Sequence, residues 1–243
     1  MKFEKKIVFM CRTETSGGVK SSMRKRKYTN LKNQHISDIC CDLDDMYEED
    51  GDVDIPRAEI HNLVGTAMIE SSVVPFKLHD VSRLLPNVIF DKQKFAAITI
   101  RLHMPVCTAL LFTSGKMVLT GCKSYTSCVL ASHYIVSILR KGMPDVQFNL
   151  KHVRIQNIVG NVDLKLDGQE MDLQRLFEEH GVYCTYQRNM FPGLIYRPDN
   201  SPVVLLLFNS GKIVITGGKS RIDVMQGWKR LWPFVKQYIT DSV

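Results

Sequence analysis

Apolar and polar positions alternate in the same order twice along most of the chain. Period-two segments at 60–69 and 153–164 read as extended, and each is followed by a stretch of helical spacing, at 77–85 and 171–180. Short strands are predicted at 88–91 and 183–187, then at 96–102 and 193–197. A hairpin comes next in each series, 108–112 with 117–120 and 203–208 with 213–216. Its turn is a Ser-Gly pair whose glycine supplies positive φ. An amphipathic helix closes each series, with Ser124 and Ser220 as natural N-caps and Asp223 completing a Ser-x-x-Asp capping box. Val129, Leu130, Ile135, Val136, Ile138 and Leu139 of the first helix can face a sheet. So can Val224, Met225, Trp228, Leu231, Trp232, Val235 and Ile239 of the second, and both tryptophans read as core. Strands outnumber helices and their connections are short. The fold class is therefore α+β, an antiparallel sheet with helices on one face.

The duplication is literal in places. Ser114-Gly-Lys-Met-Val-Leu-Thr-Gly-Cys-Lys-Ser124 returns 96 residues later as Ser210-Gly-Lys-Ile-Val-Ile-Thr-Gly-Gly-Lys-Ser220, with eight of eleven positions identical. The same offset relates Leu110 to Leu206, Phe112 to Phe208, Phe95 to Phe191 and Arg101 to Arg197. Asn62-Leu-Val-Gly65 recurs as Asn157-Ile-Val-Gly160 at an offset of 95. Two similar half-domains imply a binding surface with approximate two-fold symmetry. Helical spacing ends in Gly and Pro at Gly142-Met-Pro-Asp145, which divides the chain into a tail at 1–55, a first repeat at 56–142 and a second at 143–243.

Charge changes the picture at the N-terminus. Residues 1–32 hold ten Lys or Arg against two Glu (+8), and residues 33–55 hold nine Asp or Glu with no Lys or Arg (−9). Residues 56–243 hold 22 basic and 14 acidic side chains, again +8. So segregated a tail, with few periodic apolar positions, is expected to be disordered. Met23-Arg-Lys-Arg-Lys27 fits a nuclear-import signal, a DNA-contacting arm or a plain solvated run. The acidic stretch 42–54 can fold back on a basic surface and compete with nucleic acid. With 44% hydrophobic residues the chain can bury a core of ordinary size, yet no apolar run is long enough to span a bilayer. The start lacks signal-peptide anatomy, so no membrane partner is expected. Seven scattered cysteines without a Cys-x-x-Cys pattern fit reduced thiols of a nuclear or cytosolic protein. The histidines stand apart without ligand spacing, so neither a metal nor a cofactor is expected.

A sheet with helices on one face usually turns polar residues to the other. Here both faces are apolar. In the first hairpin Ala109 and Leu111 oppose Leu110 and Phe112, while Met117 and Leu119 oppose Val118 and Thr120. In the second, Leu205 and Leu207 oppose Leu206 and Phe208, while Ile213 and Ile215 oppose Val214 and Thr216. The helix-free face must bind something or be covered by another subunit. Arg101, Lys116 and Lys123 flank it in one half, and Arg197, Lys212 and Lys219 in the other. An apolar floor with cationic edges suits the DNA minor groove, with sugars and base edges on the floor and phosphates at the rim.

Phe191-Pro-Gly-Leu-Ile-Tyr-Arg197, Phe95-Ala-Ala-Ile98, the two Ser-Gly-Lys-x-Val-x-Thr-Gly motifs and Gln156-Asn-Ile-Val-Gly160 resemble the core of the TATA-box-binding protein family over about 58–240. The resemblance implies two quasi-symmetric repeats forming a saddle-shaped antiparallel sheet with helices on its convex face. It assigns Phe95 with Phe112, and Phe191 with Phe208, as wedges that unstack a base step and bend the duplex toward the major groove. Asn62 and Asn157 then hydrogen-bond to acceptors on the groove floor, as do Thr120 and Thr216 near the pseudo-dyad. Val64, Val118, Val159 and Val214, with Leu110 and Leu206, supply contacts that disfavour the guanine amino group. Such a floor reads A/T-richness but orientation only poorly. What the family implies is a general initiation factor on double-stranded A/T-rich DNA, working with a TFIIB-like factor and the RNA polymerase machinery.

Two surfaces depart from that family. The helix at 124–141 carries Val129, His133, Tyr134 and Ser137 where a basic cluster docks factor IIA, which argues against TFIIA-type docking. Gln187-Arg-Asn-Met190 replaces two glutamates that help bind factor IIB, so an altered TFIIB-like interface is expected. This is the pattern of a divergent paralogue or a virus-encoded version, acting in the nucleus or at the site of viral transcription. Enzymatic readings fare badly. Gly217-Gly-Lys-Ser220 resembles the end of a phosphate-binding loop, but the required first glycine falls at Ile213. No Gly-x-Ser-x-Gly occurs and no paired carboxylates recur, so no catalytic activity is expected. The competing reading is an interaction or decoy protein that sequesters initiation factors without bending DNA, or dimerises through its apolar face. Retention of four phenylalanines and both asparagines favours the DNA reading.

Overall fold

The computed structural model describes residues 54–241. The basic cluster at 23–27 and the acidic stretch up to 53, with the disorder expected of them, lie outside the described residues. The first series runs β1 (Glu59–Ser71), α1 (Leu78–Ser82), β2 (Val88–Ile89), β3 (Ala97–His103), β4 (Val106–Phe112), β5 (Lys116–Cys122) and α2 (Tyr125–Gly142). The second runs β6 (Phe148–Asp163), β7 (Gln169–Met171), α3 (Leu173–His180), β8 (Cys184–Thr185), β9 (Leu194–Tyr196), β10 (Val204–Leu207), β11 (Lys212–Gly218), α4 (Arg221–Val235) and β12 (Ile239–Asp241).

Ten of the strands form one antiparallel sheet in the order β2-β3-β4-β5-β1-β6-β11-β10-β9-β8. The order reads the same from either end once repeat equivalents are substituted, so a pseudo-dyad passes between β1 and β6. The register shows it directly: Asn62 pairs with Val159, Leu63 with Ile158, and Val64 with Asn157. Each residue of one repeat thus meets the counterpart of its own partner, the signature of an isologous contact.

Strand residues on the helix side are fully buried, among them Ile98, Leu111, Leu119, Leu205 and Ile215. α2 and α4 lie over that side and make the core two layers deep. The Asn-x-Val-Gly motif explains how closely they approach. Gly65 and Gly160 point toward the helices, where an added Cβ would lie 3.3 Å from Cys128 Sγ and 2.9 Å from Val224 Cγ1. Cys128 and Val224 are themselves repeat equivalents, so the same close approach is built twice. Cys107, Cys122 and Cys128 are buried and Cys184 half-buried, all four as free thiols.

Both predicted caps form. Ser124 Oγ accepts from the Ser127 N–H at 3.1 Å. Ser220 Oγ accepts from Asp223 N–H at 3.0 Å, and Asp223 Oδ2 accepts from Ser220 N–H at 3.0 Å and Lys219 N–H at 2.9 Å. Gly115 and Gly211 take φ of 82° and 78° in the hairpin turns, as the Ser-Gly pairs require. Trp228 and Trp232 are core residues whose indole N–H groups donate to the carbonyls of Pro56 and Asp54, at 2.7 and 2.8 Å.

Two expectations change. Leu130 is 42% exposed on the outer side of α2 rather than facing the sheet. Ile239 lies beyond α4 in β12, which pairs with β7 in a separate two-stranded sheet. Those two strands are only three residues each, too short for periodicity to reveal. Asp54, the one described residue of the acidic stretch, pairs with Lys236 Nζ at 3.1 Å at the end of α4, and the rest of the stretch lies outside the described residues.

Partial burial works against the Asp223 carboxylate, but the N–H groups of Lys219 and Ser220 outweigh it and hold its pKa below the ordinary range. A depressed folded-state pKa contributes stability above the unfolded value, and that stability is lost as pH falls through the folded value. Asp223→Asn is therefore expected to lower unfolding free energy at neutral pH by roughly 0.3–1 kcal/mol, the range for a solvent-screened carboxylate in the first turn of a helix. The gap to wild type should narrow below about pH 3.9, where the unfolded carboxylate gains its proton. Urea denaturation at pH 7 and pH 3 checks this, and an undiminished gap at pH 3 contradicts it.

Candidate nucleic-acid interface

Alternate residues of the central strands face away from the helices. Asn62, Val64 and Thr66 do so on β1, between the buried Leu63, Gly65 and Ala67. Asn157, Val159 and Asn161 do so on β6, between Ile158, Gly160 and Val162. Val118 and Thr120 on β5, and Val214 and Thr216 on β11, continue the surface outward. Leu110 pairs with Val118 and Leu206 with Val214, so each half carries the same aliphatic cross-strand pair. All of these side chains are half-buried with no helix above them. The expected floor residues are therefore together on one face.

Each asparagine is locked by its own hairpin strand. Asn62 Oδ1 accepts from Gly121 N–H at 2.7 Å and its Nδ2 donates to Thr120 Oγ1 at 3.3 Å. Asn157 repeats this with Gly217 N–H at 2.8 Å and Thr216 Oγ1 at 3.0 Å. The glycine contact fixes which end of the amide is oxygen. The threonine hydroxyls lie within reach to donate back to the same Oδ1 atoms, at 3.4 Å for Thr120 and 3.3 Å for Thr216, while the second hydrogen of each amide stays outside the cluster as a donor for a ligand. Sequence reasoning assigned the asparagines and threonines separately and missed Gly121 and Gly217. These take φ of 85° and 99°, a left-handed backbone that only glycine adopts freely. The signal was available in the repeated Thr-Gly that ends each motif.

At the two ends of this face sit the phenylalanine pairs. Phe95 and Phe112 have ring centroids 6.1 Å apart, and Phe191 and Phe208 5.7 Å, both edge to face. Phe95 is 47% exposed and Phe191 37%, unusual for aromatic rings without a partner layer. Equivalent turns present them: the N–H of Phe95 donates to Asp91 O at 2.9 Å, and that of Phe191 to Gln187 O at 2.9 Å. Gly193 leaves room for the second pair, since a Cβ there would lie 2.8 Å from a Phe191 ring carbon and 2.9 Å from one of Phe208. Its contribution to the site was not foreseen from Phe-Pro-Gly.

The six flanking cations Arg101, Lys116, Lys123, Arg197, Lys212 and Lys219 are all exposed. Their surroundings are unequal. Lys116 pairs across the ladder with Met68, whereas Lys212 pairs with Asp163. Away from this face, Tyr134 on α2 is 44% exposed near Leu130, and His133 has its pKa lowered by burial and by Arg140. Gln187–Met190 form an exposed turn with Met190 82% exposed.

Comparison with known proteins agrees with this geometry. A family model described as "Transcription factor TFIID (or TATA-binding protein, TBP)" matches residues 57–142 and 152–238. The chain is 34% identical to the TATA-box-binding protein of Acetabularia peniculus over 195 residues, covering 77% of this chain and 97% of that one. It is 36% identical to that of Saccharomyces cerevisiae over 181 residues, covering 74% of this chain and 71% of the other. Among solved structures, Methanococcus jannaschii TBP aligns with a TM-score of 0.63 at 32% identity, covering 75% of this chain and 99% of that one. The fold is thus the saddle-shaped α+β class. The chain belongs to the TATA-box-binding protein family.

Gly193→Ala is expected to push the Phe191 and Phe208 rings apart while the fold persists. Disappearance of the nuclear Overhauser effect between the two labelled rings, with the remaining spectrum preserved, is the expected result. An unchanged effect contradicts it.

Proposed function

We propose that this chain is a TATA-box-binding transcription initiation factor that seats A/T-rich duplex DNA on its helix-free face and bends it through the minor groove. One observation carries the reading: two phenylalanine pairs, each with one exposed and one half-buried ring and related by the pseudo-dyad, stand at opposite ends of an uncovered apolar floor. A floor without such wedges would fit many ligands. With them, it fits a duplex whose end steps are unstacked, the loss of stacking being offset by the larger contact area of bent DNA.

The roles follow from position. The two Asn–Thr clusters offer donors to the adenine N3 and thymine O2 acceptors of the groove, and the valines and leucines fill the space beside them. The exposed lysines and arginines meet phosphates. Partner docking supports a divergent reading: Leu130, Tyr134 and half-buried His133 make α2 a poor site for a TFIIA-type acidic partner, and Gln187–Met190 offer a TFIIB-like factor no carboxylate. We place the protein in the nucleus, upstream of polymerase recruitment, and assign it no catalytic role.

Gel shift and fluorescence transfer between duplex end labels test the wedges. Phe191→Ala with Phe208→Ala should weaken binding to A/T-rich duplex at least tenfold and reduce the bend at one end. Binding and bending both unchanged would remove the wedge mechanism and favour an interaction protein. The salt dependence tests the rim. Replacing Lys116 and Lys212 by Ala should make the slope of log K against log salt shallower by roughly 1.8, about 0.9 for each phosphate no longer neutralised. An unchanged slope would exclude both as phosphate-binding groups.

A further inference from the structure

The helix-free face is symmetric in shape but not in hydrogen-bonding character. Two ladder rows cross it, one on each side of the dyad. The first runs Leu110, Val118, Thr66 and Arg154. The second runs Leu206, Val214, Asn161 and Glu59. The aliphatic members match, and the central members differ.

In the first row, Gln156 Nε2 donates to Thr66 Oγ1 at 2.8 Å. An oxygen that accepts there directs its own hydrogen elsewhere, so Thr66 acts as a donor toward a ligand. Arg154 stands directly across the ladder, opposite in facing to the core-packed Val153 and Ile155. It adds donors only. In the second row the residue at the Gln156 position is His61, and Asn161 takes the place of Thr66. Directly across from Asn161 is Glu59, and two residues along the same strand face is Asp163. Asp163 Oδ1 is itself engaged by the Lys165 N–H at 3.1 Å, and no hydrogen bond ties the Asn161 amide to either carboxylate. The negative charge on both sides favours the orientation that turns the Asn161 NH2 toward the carboxylates and its Oδ1 toward the floor. Lys212, opposite Asp163, and His61 are the other titratable groups at this row, as Lys116 is at the first.

We infer that the floor is polarised: the Thr66–Arg154 row accepts only A·T pairs, whereas the Asn161–Glu59 row accommodates one G·C pair by accepting the guanine N2 amino group. In the minor groove that amino group is the one donor separating G·C from A·T, so a single acceptor decides the preference. The inference rests on the proposed minor-groove binding. Asn161 and Glu59 then become specificity-determining residues. An element with one G·C pair is bound in the orientation that presents it to Asn161, so a pseudo-symmetric protein acquires a direction on DNA.

The test uses the full chain and three sets of duplexes: all A/T, one G·C pair in either half, and one in each half, scanned over the positions flanking the centre. The expected pattern is non-additive. One G·C pair costs less than about twofold in affinity at the best position, and the second costs roughly tenfold or more. Asn161→Thr with Glu59→Arg should make the first G·C pair as costly as the second, each cost taken relative to that variant's own affinity for the all-A/T duplex. Thr66→Asn with Arg154→Glu should relieve the second. Equal, additive losses for wild type, or no change in either double variant, overturn the polarised floor. Failure to bind the all-A/T duplex at all overturns the minor-groove reading itself.

Discussion

Everything on the open face depends on how β1 and β6 meet. They exchange equivalent residues across the dyad, Asn62 with Val159 and Val64 with Asn157. That register cannot slip by one residue without turning both asparagines and both valines toward the helices. The hairpin strands reinforce it, because each asparagine is tied to the Thr-Gly end of its own hairpin. Sheet order, floor composition and the spacing of the two phenylalanine pairs therefore share one origin. A duplicated unit that packs on its own copy has few other ways to bring two equivalent surfaces onto one face.

The sheet also explains why this sequence breaks the ordinary rule of one polar and one apolar face. Helices α2 and α4 cover one side and leave the other uncovered. Large apolar patches on a monomer are a liability unless something covers them. Here the exposure is moderated: the floor residues are half-buried by their neighbours, and six cations flank them. Charge does not follow the symmetry of the backbone, since Glu59 and Asp163 have Arg154 and Met68 as their dyad mates. Shape and charge obey different constraints in this fold. Packing forces the first to be symmetric, and nothing forces the second.

Much of this was legible in the sequence because it is stated twice. The duplicated motif located the hairpins, the capping serines and the face carrying Val118, Thr120, Val214 and Thr216. Alternation separated Leu111 from Leu110 without ambiguity. What stayed hidden was local and irregular. Register shifts at Ile60/Asn62 and Val64/Gly65 let His61 and Gln156 step out of the alternation, so their surroundings could not be read from period two. The β7–β12 pair joins segments far apart in sequence over three residues each, too little for a pattern. Leu130 fits the helical stripe by spacing, yet its side chain ends on the outer side of α2. Gly193 matters only because two rings from different segments converge over it, which no linear spacing reveals.

The Asn-x-Val-Gly motif joins two surfaces through four residues. Asn157 belongs to the open face, and Gly160, three residues on, is pressed against Val224 of α4. A strand is stiff over so short a span. The close packing of α4 on Gly160 and the placing of Asn157 on the open face are therefore set by one short stretch of strand, and the same holds for α2, Gly65 and Asn62. Helix layer and open face are separated there by the thickness of one backbone.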